Sequence, residues 1–147
     1  MTNKAPLFIT WIAVLAGIFD AAYLSYVKLT RVPVFCSPGF GNCESVSSSP
    51  YSYILGIPVA YLGLLTYLVI IFLLIFGGKI KFLQTNGIYA LFGISFFGFL
   101  FSLYLTYLEI WVIKALCQWC LISAILMTVI FVCTSIRIFG RQVTTQS

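Results

Sequence analysis

Residues 82–108 read FLQTNGIYALFGISFFGFLFSLYLTYL, a run without one charged side chain. A helix that crosses a bilayer needs about 20 mostly apolar residues, whereas strands of globular proteins rarely exceed about ten. The run is therefore read as a transmembrane helix. The pattern recurs on both sides of it. Leu55–Gly78 and Ala115–Ile136 are also uncharged, and Leu7–Val27 is interrupted by Asp20 alone. Gly77-Gly78 followed by Lys79 separates the second run from the third. The strands of a membrane barrel alternate apolar and polar residues, and these runs do not. Four spans, at 7–28, 58–77, 86–108 and 116–137, predict an all-α integral membrane protein built as a four-transmembrane-helix bundle.

Composition agrees. Of 147 residues, 62% are hydrophobic and only 7% charged, against about 25% charged in ordinary soluble domains. Such an alphabet excludes a soluble globular domain, a disordered chain and a nucleic-acid binder, despite the net charge of +5. The length predicts a single membrane domain over 1–147. Lys4 ahead of an apolar run is also how a signal peptide begins. The run continues past Asp20 to Val27 without a polar cleavage region, so the span reading is preferred.

Lys and Arg in short loops set orientation. With an even number of spans, the N-terminus, the 78–85 loop and the C-terminal tail share a side. They hold Lys4, Lys79, Lys81, Arg137 and Arg141 and no acid. The other side holds Lys28, Arg31 and Lys114, with Glu44 and Glu109 nearby. Both termini are thus expected in the cytoplasm, with the 29–57 and 109–115 loops outside.

The chain has five cysteines and no histidine. Cys36 and Cys43 fall in the 29–57 loop, and Cys117 and Cys120 form Cys-Gln-Trp-Cys at the start of the fourth span. All four lie on the expected outer side, where disulfides persist. Positions i and i+3 of a helix share a face, and a helix N-terminus favours thiolate, the species that attacks disulfides and electrophiles. Two cysteines at this spacing also arise by chance in apolar helices. A second pair on the same side favours a redox-active center. Without histidine, a zinc site would have to be all-thiolate, closed and half within the membrane, so no metal is expected. Cys133 lies about 20 Å deeper than Cys120 at about 1.5 Å per residue, where a cysteine serves as a small buried hydrophobe.

The 29–57 segment is the one long loop. Pro38-Gly39-Phe40-Gly41-Asn42 predicts a turn-rich, mobile stretch between its cysteines, suited to a shuttle. Ser49-Pro50 reads as an N-cap with proline at the first helical position. A short helix running from there to Leu55, broken at Gly56-Ile57-Pro58, would lie in the membrane interface as a half-helix cap over the bundle. Pro58 would open the second span.

Taken together, Cys36-x6-Cys43, Glu44-Ser-Val with Ser49-x-Tyr51, Gly56-Ile-Pro58 and Cys117-Gln-Trp-Cys120 resemble the vitamin K epoxide reductase family, and its bacterial and archaeal members most closely. The resemblance runs from the first span through the fourth. It implies a four-helix bundle around a quinone, in which a loop dithiol takes electrons from a thioredoxin-like partner and passes them to the membrane pair. By position, Cys43 would exchange with Cys117, Cys120 would reduce the quinone and Cys36 would engage the partner. Ser49 stands where the family places a serine near its active site, and a helix-capping role is compatible with that.

The chain also departs from the pattern. Many bacterial members carry a fifth span and a fused thioredoxin-like domain, so here the partner is expected to be a separate extracytoplasmic protein. Vertebrate members hold the quinone carbonyls with an Asn in the half-helix region and a Tyr one turn after Cys-x-x-Cys. Here no Asn lies between Cys43 and Pro58, and Ala124 stands four residues after Cys120. That favours a plain quinone over vitamin K epoxide.

Three further sets of residues read two ways. Asp20, near mid-span, is either a proton carrier or a neutral, hydrogen-bonded packing residue. Trp111 and Trp119 suit an interfacial belt, with contact to a quinone as the alternative for Trp119. The rings of Phe92, Phe96, Phe97, Phe99 and Phe101 divide between packing and a quinone wall. The expected protein is a multi-pass cell-membrane oxidoreductase that couples disulfide-bond formation to a quinone, reoxidising a thioredoxin-like partner. The rivals are the same chemistry with reduced quinone or reduced vitamin K epoxide as the useful product, and a non-catalytic tetraspan protein with structural disulfides.

Overall fold

The computed structural model describes residues 4–32, 50, 53–77, 79–114 and 117–146, with only the backbone described at 82–85 and 141–146. Among them are four helices long and apolar enough to cross a membrane. Helix α1 spans Ala5–Thr30, α2 Val59–Phe76, α3 Lys81–Tyr107 and α4 Gln118–Gln146. Each covers its expected span to within a few residues, and most run longer. The helices form a ring in which α1 packs on α2 and α4, and α3 packs on α4 and more sparsely on α2. This is a multi-pass membrane protein.

Helix α1 begins with Pro6 in its first turn, where the missing N–H costs no bond. Thr10, Ala13, Val14, Gly17, Asp20 and Ala21 are buried. At three- and four-residue spacing, they form one stripe facing the other helices. The core they join contains Tyr67 and Ile70 of α2, Leu91 of α3, and Met127 and Ile130 of α4. Large apolar side chains such as Phe8, Phe19 and Phe139 point outward, the arrangement lipid solvates and water does not. In the absence of water, hydroxyls must bond within the protein. Thr10, Ser95, Thr128 and Thr134 each donate to the carbonyl four residues back, at 2.6–2.8 Å.

Two features depart from expectation. The short helix was expected to reach Leu55, but Tyr53–Ile54 (β1) pairs antiparallel with Ile57–Pro58 (β2). Leu55 and Gly56 form the two-residue turn with φ of 53° and 82°. Both left-handed values are what a tight hairpin of the primed type requires, and Gly56 adopts its value without a Cβ penalty. The rest of the expected short helix lies outside the described residues, except Pro50. Lys28 Nζ sits 4.2 Å from the Tyr53 ring centroid, fastening the hairpin to α1. Pro58 then opens α2 as its N-cap.

The second departure concerns the expected 109–115 loop. Helix α3 continues directly into a π-helical segment, Leu108–Ile113, which ends at Lys114 in a left-handed conformation. Glu109-Ile-Trp-Val-Ile contains no helix-breaking residue, so the chain keeps its internal hydrogen bonds until Lys114. Within the segment Leu108 and Glu109 are buried, whereas Ile110, Trp111 and Val112 are exposed. The wider turn thus directs a carboxylate into the bundle.

Candidate redox site

Cys117 immediately precedes α4, and its carbonyl accepts the N–H of Leu121 at 3.0 Å. It therefore acts as the helix N-cap. Its sulfur accepts the backbone N–H of Cys120 at 3.4 Å, the bond a serine or aspartate makes in that position. Cys-x-x-Cys is the spacing this geometry needs: the third residue after the cap carries both the capping N–H and the second thiol. The Cys120 thiol donates to the Cys117 sulfur and, with the N–H groups of Cys120 and Trp119, holds the Cys117 thiol below the ordinary range. Burial and the neighbouring Glu109 charge oppose this. Cys117 is 2% exposed and Cys120 is half-buried. Both are free thiols.

The pair forms part of the wall of a cavity of about 480 Å³ among the four helices and the hairpin. Leu24, Leu62, Leu105, Ala124 and Met127 make its wall largely apolar. Phe97 and Phe101 are the two rings of the phenylalanine-rich third span that reach it. Phe92, Phe96 and Phe99 gather instead around Phe131 of α4, at 5.0–5.7 Å between centroids. Leu65 and Phe97 line the cavity and are also exposed on the outer surface, 58% and 73% respectively. The sparse α2–α3 seam is therefore where the cavity comes nearest to lipid.

Polar groups enter the cavity from three other elements. Asp20 of α1 is 3% exposed, and neither carboxylate oxygen has a hydrogen-bond partner among the described residues. Tyr67 of α2 is buried with its hydroxyl 3.0 Å from Ser123 Oγ and 3.1 Å from the Ser123 carbonyl. Glu109 is 4% exposed and accepts the Cys117 N–H at 3.4 Å, and its carboxylate also takes a hydrogen bond from the Cys120 thiol.

The structure thus brings Cys117 and Cys120 together as expected. Cys36, Cys43 and Ser49 lie outside the described residues. Trp119 is not part of the cavity wall, since its ring lies 4.7 Å from Tyr23 of α1. Trp111 is 68% exposed, in keeping with an interfacial belt. Cys133 is buried, as a small core residue should be. Two site residues, Glu109 and Tyr67, escaped the sequence reading. Glu109 left a signal in being the lone acid between two uncharged runs, eight residues before Cys117. Tyr67, one of nine tyrosines, left none.

The model of the vitamin K epoxide reductase family matches residues 8–135. The thiol-disulfide oxidoreductase LTO1 of Arabidopsis thaliana is 36% identical over 112 residues, covering 73% of this chain and 30% of the relative. The chain therefore spans about a third of that relative's length. The matched region contains α1, the hairpin, α2, α3 and the Cys117/Cys120 pair at the head of α4, the elements that enclose the cavity. The chain belongs to the vitamin K epoxide reductase family.

Proposed function

We propose that the protein is a thiol-disulfide oxidoreductase that passes electrons from a separate extracytoplasmic thioredoxin-like protein to a membrane quinone. The observation that carries this reading is a dithiol at a helix N-terminus forming part of the wall of an apolar cavity within a membrane bundle. Cavities of about 300–1,000 Å³ with apolar walls and a few convergent polar groups are typical small-molecule sites. A quinone ring is flat and apolar with a carbonyl at each end. The hydroxyls of the Tyr67–Ser123 pair could donate to such a carbonyl, and so could Asp20, whose buried oxygens lack a protein partner among the described residues, in its protonated form. A quinone bound there would accept two electrons and two protons.

The chain's own thiols have distinct parts in this scheme. Reduced Cys43 attacks the Cys117 sulfur of a Cys117–Cys120 disulfide, and Cys120 is released as thiolate. Cys36 then attacks Cys43, restoring the loop disulfide for the partner, and Cys117 departs. A low thiol pKa makes a good leaving group, so the lowered pKa of Cys117 speeds that departure. Cys120, half-buried and in the cavity wall, is the sulfur that faces the electron acceptor. Ser49 belongs with the cofactor-binding residues, by its position in the family. The redox side faces outward, and both termini lie in the cytoplasm.

The test is thiol trapping on pre-reduced protein without oxygen. Adding a ubiquinone or a menaquinone should convert free thiols to disulfide in the wild type and leave them free in Cys120→Ala. Thiols that remain free with every quinone sink the redox reading and favour a non-catalytic tetraspan protein. Turnover of vitamin K epoxide in preference to quinone would make the reduced product the purpose of the reaction.

A further inference from the structure

We infer that Glu109 is the proton acceptor of the dithiol, its carboxylate taking the proton of Cys120 as the Cys117–Cys120 pair closes to a disulfide. The inference rests on the redox reading above and extends it to a residue outside the cysteine motif. Three observations converge on Glu109. It is 4% exposed, it accepts the Cys117 N–H at 3.4 Å, and its carboxylate takes a hydrogen bond from the Cys120 thiol. A π-helical turn directs it inward, and such turns occur often at functional sites.

The pair needs such a group. In the reduced pair the Cys120 thiol donates to the Cys117 sulfur, which favours thiolate at Cys117, and the Glu109 carboxylate lies against the same thiol. Closing the disulfide breaks the Cys120 S–H bond, forms the S–S bond and gives two electrons to the quinone-class acceptor. The Cys117 proton has already left with the formation of its thiolate. The Cys120 proton passes to Glu109 and is then released, so that this proton and the one given up earlier by Cys117 balance the two that the reduced acceptor takes up. Besides the two cysteines, the other titratable groups in the cavity wall are Asp20 and Lys28 of α1 and Tyr67 of α2. Asp20 has no hydrogen-bond partner among the described residues, whereas the Glu109 carboxylate is bonded to the pair through the Cys117 N–H.

Glu109→Gln separates proton transfer from scaffolding, because the amide oxygen still accepts the Cys117 N–H but takes up no proton. Pre-reduced full-length protein is oxidised either by a ubiquinone or by diamide, a small disulfide-forming oxidant that needs no quinone site. Positioned general bases contribute about 10²–10⁴-fold, so closure should slow at least tenfold with both oxidants, and the acid limb of its pH profile should vanish. In the same variant the pH midpoint for Cys117 alkylation should fall, because a neighbouring negative charge is gone. Glu109→Asp, with the charge drawn back, should fall between the two.

Wild-type closure rates and pH profile in Glu109→Gln overturn the proposal. So does slower closure with an unshifted alkylation midpoint, the mark of a packing role. If Glu109→Gln does not fold, a wild-type rate in Glu109→Asp overturns it equally. Should the wild type react with diamide and with no quinone, the quinone reading fails, while the diamide comparison still decides the role of Glu109.

Discussion

At Cys117 a sulfur stands where helices ordinarily place an oxygen, and redox chemistry and helix capping become one interaction. The thiolate is held by the Cys120 thiol and by the N–H groups of the first turn. A lowered pKa means that thiolate persists to lower pH, so alkylation of Cys117 in reduced protein should reach its midpoint below the ordinary value of about 8.5. Cys120→Ala removes the thiol donor and should move that midpoint upward, as read by mass spectrometry across a pH series. This chemistry was legible in the sequence, because Cys-x-x-Cys at a helix start implies both the shared face and the dipole. Glu109 was not legible in the same way. Its inward orientation depends on a π-turn, and a run such as Leu-Glu-Ile-Trp-Val-Ile carries no periodicity that separates a π-turn from an α-turn.

Among the elements, α1 and α2 are tightly packed where Gly17 faces the Tyr67 ring. A methyl group there would overlap the Tyr67 ring, which is fully buried and hydrogen-bonded to Ser123. Gly17→Ala should therefore displace Tyr67 from the cavity wall. Overpacking of this kind costs about 1–3 kcal/mol, which should appear as earlier unfolding in a denaturing-detergent titration. The hairpin makes the opposite case. Leu55 is 98% exposed with φ of 53°, a backbone that costs a side-chain-bearing residue about 1–2 kcal/mol. Leu55→Gly should slow hydrogen exchange at the hairpin amides by relieving that strain. Although α4 runs on through Arg137 and Arg141 to Gln146, the number and placement of the four spans followed from uncharged length, which is a cumulative property of many residues. The hairpin did not, because Tyr53-Ile-Leu-Gly-Ile-Pro suits an interfacial helix end as well as two short strands. Pairing across the turn decides between them, and pairing is not a local property.

For the whole molecule, the Lys/Arg balance predicts a topology that chemistry can test. In a cysteine-free background, Arg31→Cys should react with a membrane-impermeant maleimide added to intact cells, and Lys79→Cys should react only after lysis. The reverse pattern would turn the proposed redox side toward the cytoplasm. The bundle itself is closed more firmly on three seams than on the fourth. Between α2 and α3, Leu65 and Phe97 belong both to the cavity wall and to the outer surface. A molecule that approaches by this seam arrives by diffusion in the plane of the bilayer. Its supply is then set by its mole fraction among the lipids, so the apparent affinity measured in a vesicle should track the amount of acceptor per lipid and stay constant as the suspension is diluted with buffer.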